Sequence, residues 1–162
     1  MIEPMVSVER LRPGDGNRWR SIRLQALEEA PHAFGTTYAA AAQWEAARWE
    51  AQVAEFATFV AVVEGRDVGV ARGAANRIRD VRELISMFVV PAARRQGIGA
   101  RLIDSVAAWA TAAGATALVL DVIETNTPAI ALYERNGFQQ LDEGPARERP
   151  PNEIRLVRSL VM

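Results

Sequence analysis

The period of apolar positions changes repeatedly along the chain, and each change marks an element. Val6, Val8 and Leu11 alternate loosely with polar residues, which predicts a first strand over Met5 to Leu11, closed by Pro13-Gly14-Asp15-Gly16. Trp19, Ile22, Leu24 and Leu27 then recur at helical spacing, giving a helix over Asn17 to Glu29 that breaks at Pro31. The alanine-rich stretch Ala39 to Phe56 reads as one helix or two short ones, with Trp44 and Trp49 as packing residues. Thr58 to Val63 and Val68 to Ala75 form a hairpin across Glu64-Gly65-Arg66-Asp67, and Val81 to Val90 is a third β-rich run. Ile98, Leu102, Ile103, Val106 and Trp109 restore the helical period as far as Ala113, and Gly114 stops it. Ala117 to Ile123 reads as a buried strand. Thr127 to Arg135 reads as a helix capped by Thr127, with Pro128 in its first turn and Asn136-Gly137 at its end. Phe138 to Leu141 and Glu153 to Leu160 complete an α+β pattern, separated by the loop Asp142 to Asn152.

Composition narrows the chemistry. A length of 162 residues, 49% of them hydrophobic and 24% charged, fits a single domain spanning residues 1–162. With no cysteine, a disulfide framework, a thiolate metal site and a cysteine nucleophile are excluded. The chain has no lysine, which excludes Schiff-base catalysis. His32 alone cannot build a multi-histidine centre, so no catalytic metal is expected. Glu3 and Pro4 replace the apolar core of a signal peptide. Ser105 to Ile123, rich in Ala and Thr, is interrupted by Gly114 and Asp121, so the expectation is a cytoplasmic protein with no membrane partner. A net charge of −1 gives no general attraction to nucleic acid, yet residues 66–101 carry eight arginines against three acids. That positive third ends in a glycine loop.

The loop is Val89-Val90-Pro91-Ala92-Ala93-Arg94-Arg95-Gln96-Gly97-Ile98-Gly99-Ala100, between a strand and a helix. Small residues at a helix start leave its first N–H groups uncovered at the positive end of the macrodipole, where an anion can approach the backbone. A dinucleotide fingerprint needs a third glycine where Leu102 stands, and a P-loop needs a lysine that the chain lacks. Arg94-x-x-Gly97-x-Gly99 remains, followed by Asn126-x-x-Ala129-x-x-Leu132-Tyr133-Glu134-x-x-Gly137-Phe138. The pair resembles the two signatures of the GNAT family of N-acetyltransferases.

The resemblance implies a GNAT fold: one mixed, mainly antiparallel sheet of about seven strands flanked by about four helices. It implies acetyl-CoA as cosubstrate, with the pyrophosphate on the N–H groups of Arg95, Gln96, Gly97, Ile98, Gly99 and Ala100, and Arg94 and Arg95 as further donors. The strands Val81 to Val90 and Ala117 to Ile123 are expected to splay, with the pantetheine arm between them along Phe88, Val89 and Val90, near Ala129. A backbone N–H at Val89 or Val90 can then polarise the thioester carbonyl. Asn126 is implied to bond the arm; read alone, it is a turn residue at a helix start. Tyr133 is the implied general acid for the leaving thiolate; on helical spacing alone it is a core aromatic. Glu83 is the implied general base, with Glu124 the alternative, and either can equally be a solvated carboxylate.

The expected reaction is direct attack of a primary amine on the acetyl thioester in a ternary complex. A non-catalytic acyl-CoA-binding or sensing module is the alternative, as is use of a longer acyl chain. The acceptor is unidentified. The segments Glu28 to Trp44 and Asp142 to Asn152 are expected to shape its site, through Glu28, Glu29, Asp142 and Glu143 for charge and Phe34, Tyr38 and Trp44 for apolar contact. A homodimer through the last strands is a further implication of the resemblance.

Overall fold

A computed structural model describes residues 5–31, 36–141 and 152–161. Among them lie seven strands, β1 (Val6–Arg10), β2 (Ala57–Val63), β3 (Arg66–Ala75), β4 (Val81–Val89), β5 (Ala117–Ile123), β6 (Gln139–Gln140) and β7 (Glu153–Ser159). Five α-helices accompany them: α1 (Gly16–Glu29), α2 (Tyr38–Ala42), α3 (Ala46–Glu55), α4 (Ile98–Ala112) and α5 (Thr127–Arg135). The alanine-rich stretch thus divides in two. Thr37 caps α2 by accepting from the Ala40 N–H at 3.1 Å, and Trp44, between the helices, packs its ring 4.9 Å from that of Trp49. One sequence expectation is corrected at α5, whose cap is Asn126 rather than Thr127. Asn126 Oδ1 accepts from the Ala129 N–H at 3.4 Å, while the Thr127 hydroxyl turns back to the Thr125 carbonyl.

The strands form one sheet in the order β1-β2-β3-β4-β5-β7-β6. Every neighbouring pair is antiparallel except β4–β5. Alternation of side chains along the strands divides the core into two layers. On one face Leu84, Leu118, Leu120, Val122 and Leu156 pack with Leu102, Ile103 and Val106 of α4 and with Phe138. On the other, Val60, Val70 and Phe88 pack with Trp19, Ile22 and Leu27 of α1 and with Trp49 and Val53 of α3. Gly73 is what lets α4 sit so close to β3: a Cβ there would stand 2.3 Å from Cζ3 of Trp109.

Two departures from regular pairing shape the middle of the sheet. β4 and β5 pair only at Val81↔Ala117, Arg82↔Leu118 and Glu83↔Val119, and then separate. Between β3 and β4 the register shifts, so that Ala71 faces both Ser86 and Met87, a β-bulge with Ser86 at φ +59°. The extra residue reverses parity along β4. Leu84, before the bulge, joins the α4 layer, whereas Phe88, after it, joins the α1 layer.

Candidate functional site

Where β4 and β5 part, a cleft of about 990 Å³ opens, walled by β4, β5, the glycine loop, the start of α4 and one face of α5. Leu120 and Val122 line it from the α4 side of the sheet, and alternation puts Asp121 and Ile123 on the opposite side, so the cleft runs through the sheet from face to face. Beyond Glu83↔Val119 the facing edges of β4 and β5 no longer pair with each other. In an extended strand, successive residues direct their N–H and C=O groups to opposite edges. The Val90 N–H donates to the Val68 carbonyl on β3 at 2.9 Å, so Val89 faces the edge that β5 has left. There its carbonyl accepts from Arg94 Nε at 2.9 Å, and its N–H opens on the cleft.

The glycine loop forms the mouth. Arg95 (φ +65°) and Gly97 (φ +77°) are both left-handed, with Gln96 between them. Such alternation of hand turns successive N–H groups into one concavity. No side chain caps α4, and its first bond of the helical pattern runs from the Arg101 N–H to the Gly97 carbonyl. The Ile98, Gly99 and Ala100 N–H groups are therefore open donors at a positive helix end. A Cβ on Gly97 would meet nothing within 4 Å, so a ligand has free approach to this backbone. Gly99 acts differently. A Cβ there would stand 3.0 Å from Leu132 Cδ2 and 3.2 Å from Met87 Cε, so its absence lets α4 begin against α5 and β4.

α5 supplies the polar groups of the far wall. Asn126 lines the cleft, and with Oδ1 spent on its cap, its amide Nδ2 has no acceptor among the described residues. Tyr133 is 7% exposed; its ring stands edge-on to Phe138 with centroids 5.7 Å apart, and its hydroxyl bonds no described residue. Burial pushes the phenol further above its ordinary value, so it holds its proton throughout the neutral range.

On the sheet face opposite α4, charged groups gather at the throat where β4 and β5 last pair. Asp121 accepts both Arg155 Nε and Nη2 at 2.9 Å, and Asp121 and Glu153 line the cleft. Glu83 sits beside them, half-buried. Burial raises its pKa above the ordinary 4.5, Asp121 and Glu153 raise it further, and Arg155 opposes them. Glu153 is likewise raised, first by burial and then by Asp121.

The structure therefore brings to one cleft Phe88, Val89, Arg94, Arg95, Gly97, Ile98, Gly99 and Ala100 from one wall and Asn126, Ala129 and Tyr133 from the other. Val90 and Gln96 do not line it, and Val90 has its N–H committed to β3. Glu83 borders the throat rather than the wall, and Glu124 is exposed, outside the cleft. Trp44 is a packing residue with Arg48 stacked on it at 3.8 Å, and Tyr38 is exposed. Glu3, Pro4, His32, Phe34, Asp142 and Glu143 lie outside the described residues. Sequence reading missed Asp121, Glu153 and Ser86 as cleft residues. Asp121 was visible as the one charge in an apolar strand, and Ser86 as the one hydroxyl in Leu84 to Val90. Among the described residues, no group of acids and histidines could hold a metal ion, and no helix is long and apolar enough to cross a membrane.

A cleft with cationic and backbone donors at its mouth and an unpaired strand edge along its wall suits a ligand that is anionic at one end and carries amides along an extended arm. The Acetyltransferase (GNAT) family pattern matches residues 20–138. An IAA acetyltransferase of Azospirillum brasilense is 39% identical over 74 residues, 46% of this chain and 47% of that protein. An uncharacterized N-acetyltransferase of Bacillus subtilis is 40% identical over 57 residues, 35% of this chain and 38% of that one. The matched stretches thus span less than half the length of these curated relatives. Among solved structures, the PaiA N-acetyltransferase of Thermoplasma acidophilum in complex with coenzyme A superposes with a TM-score of 0.75 at 12% identity, covering 96% of this chain and 99% of that one.

Proposed function

The chain belongs to the GNAT acetyltransferase family, and from that membership we propose that it is an acetyl-CoA-dependent N-acetyltransferase acting on a primary amine in a ternary complex. The observation that carries this reading is the loss of β4–β5 pairing beyond Glu83↔Val119, beside an uncapped α4 N-terminus. Acetyl-CoA supplies the activated acetyl group as a thioester. The α4 N–H groups, with Arg94 and Arg95 beside them, bind the pyrophosphate, and the freed edges of β4 and β5 bond the amides of the arm. Asn126 Nδ2 donates to the same arm. The Val89 N–H faces the thioester oxygen and stabilises the charge that develops there.

The acceptor enters from the sheet face where Asp121 and Glu153 line the cleft, a surface that attracts an ammonium. Glu83, its pKa raised, takes the ammonium proton directly or through one water. The neutral nitrogen forms the new C–N bond, and the C–S bond breaks. Tyr133 gives the sulfur its proton, and the proton shed by nitrogen on becoming an amide replaces it. Calorimetric titration with acetyl-CoA, CoA and NADH tests the binding half of this reading. Selective binding of the CoA species supports it, and no CoA binding removes it. Tight CoA binding without turnover on any amine would favour a sensing module instead.

A further inference from the structure

Ser86 carries a side chain in the left-handed region, at φ +59°, in the middle of a strand. A non-glycine residue there is strained and persists only where its surroundings hold it. Arg72 on β3 reaches across: its Nε donates to Ser86 Oγ at 3.1 Å. Arg72 is itself clamped, its guanidinium 4.1 Å from the Trp19 ring centroid and 4.6 Å from that of Phe56, with 7% of the residue exposed. Packing alone does not account for an arginine in this place. Burial and the like charge of Arg23 both push its pKa down, opposed only by Glu55, and its Nη1 finds no acceptor among the described residues. A buried guanidinium with so little compensation is an expensive way to fill space.

What Ser86 positions is the cleft. It lies three residues past the last β4–β5 pair and three before Val89, and it lines the cleft wall. The bulge it forms bends β4 and sets which edge each later residue faces. Resting on the acetyl-transfer reading, we propose that Arg72 is a positioning residue for the reaction: acting through Ser86, it holds the β4 bulge that keeps the Val89 N–H turned toward the thioester carbonyl. Arg72 itself does not line the cleft.

Isotope-edited infrared spectra of the thioester carbonyl, with acetyl-CoA free and bound, read that alignment directly, because a hydrogen bond to the oxygen lowers its stretching frequency. The bound band of the parent protein is expected below the free value. In Arg72→Met and in Ser86→Ala it should move most of the way back. CoA affinity should stay within about threefold, and kcat should fall roughly tenfold or more with KM for acetyl-CoA little changed. Arg72→Met should matter less in a Ser86→Gly background, where the left-handed conformation costs a glycine nothing. If Arg72→Met does not fold, Ser86→Ala, which removes one oxygen, decides alone. A bound band unmoved in the folded variants, or a parent band at the free frequency, overturns the proposal while leaving acetyl transfer standing. A parent protein that binds no acetyl-CoA removes both.

Discussion

Gly97 separates the electrostatics of the mouth from its backbone geometry. It is left-handed at φ +77°, and a Cβ there meets nothing within 4 Å. Gly97→Ala therefore adds only the strain of a side chain in that region, about 1 kcal/mol, and creates no clash. Gly97→Asp carries the same strain plus a carboxylate at the start of α4, where the ligand's charge is to sit. Two like charges about 6 Å from that carboxylate, at an effective dielectric constant of roughly 40 to 80, oppose binding by about 1.4–2.8 kcal/mol. CoA affinity of the Asp variant should accordingly be about ten- to a hundredfold below that of the Ala variant, measured by calorimetry at low salt. The gap should narrow as salt screens it. Melting temperatures of the two should agree within a few degrees, since an acid at a helix start is no burden to the helix. Equal CoA affinity in the Ala and Asp variants would refute the claim that the α4 N-terminus holds the anion.

Three other outcomes are expected. Tyr133→Phe should lower kcat at least tenfold with CoA affinity nearly unchanged, and an unaltered kcat in stopped-flow thiol release takes Tyr133 out of the mechanism. Glu83 has a folded-state pKa above its ordinary 4.5, so it opposes folding once deprotonated, and its contribution is most favourable below that value. Glu83→Gln should raise the melting temperature at neutral pH, with the gain vanishing as pH falls through the carboxylate range, and should flatten the pH dependence of kcat/KM; a gain that grows in acid contradicts the burial argument. Gly73→Ala places a Cβ 2.3 Å from Trp109 Cζ3, far inside the roughly 3.5–4.0 Å of an ordinary contact. It should cost about 2 kcal/mol and lower the melting temperature by roughly 4–8 °C, which a calorimetric scan would show.

The helices and most strands were legible because amphipathic period survives in any context: α1, α4 and β5 fall within a residue or so of where Trp19 to Leu27, Ile98 to Trp109 and Ala117 to Ile123 place them. The glycine loop was legible because its chemistry is local. The bulge was not. Leu84 to Val90 reads as a nearly unbroken apolar run, and the reversal of parity within it is set by pairing with β3, which sequence spacing does not encode. The acidic throat was hidden for the same reason, since Asp121 and Arg155 meet only because β5 and β7 pair across 34 residues of sequence. At α5, both Asn126 and Thr127 have cap-forming side chains, and only backbone geometry selects Asn126. Arg72 is not legible in the sequence because an arginine in a strand ordinarily reads as surface, and its burial under Trp19 and Phe56 is a tertiary fact.

Acetyl transfer from this cleft to an amine can be read from its products. Its most direct test is incubation of the protein with deuterium-labelled acetyl-CoA and a panel of primary amines of differing charge, followed by mass spectrometry of both the amines and free CoA. Labelled acetyl is expected on at least one cationic amine, in amounts equal to the CoA released, and is expected to be lost in Tyr133→Phe. Saturable binding of acetyl-CoA with no labelled amine and no CoA released beyond the uncatalysed rate would contradict it.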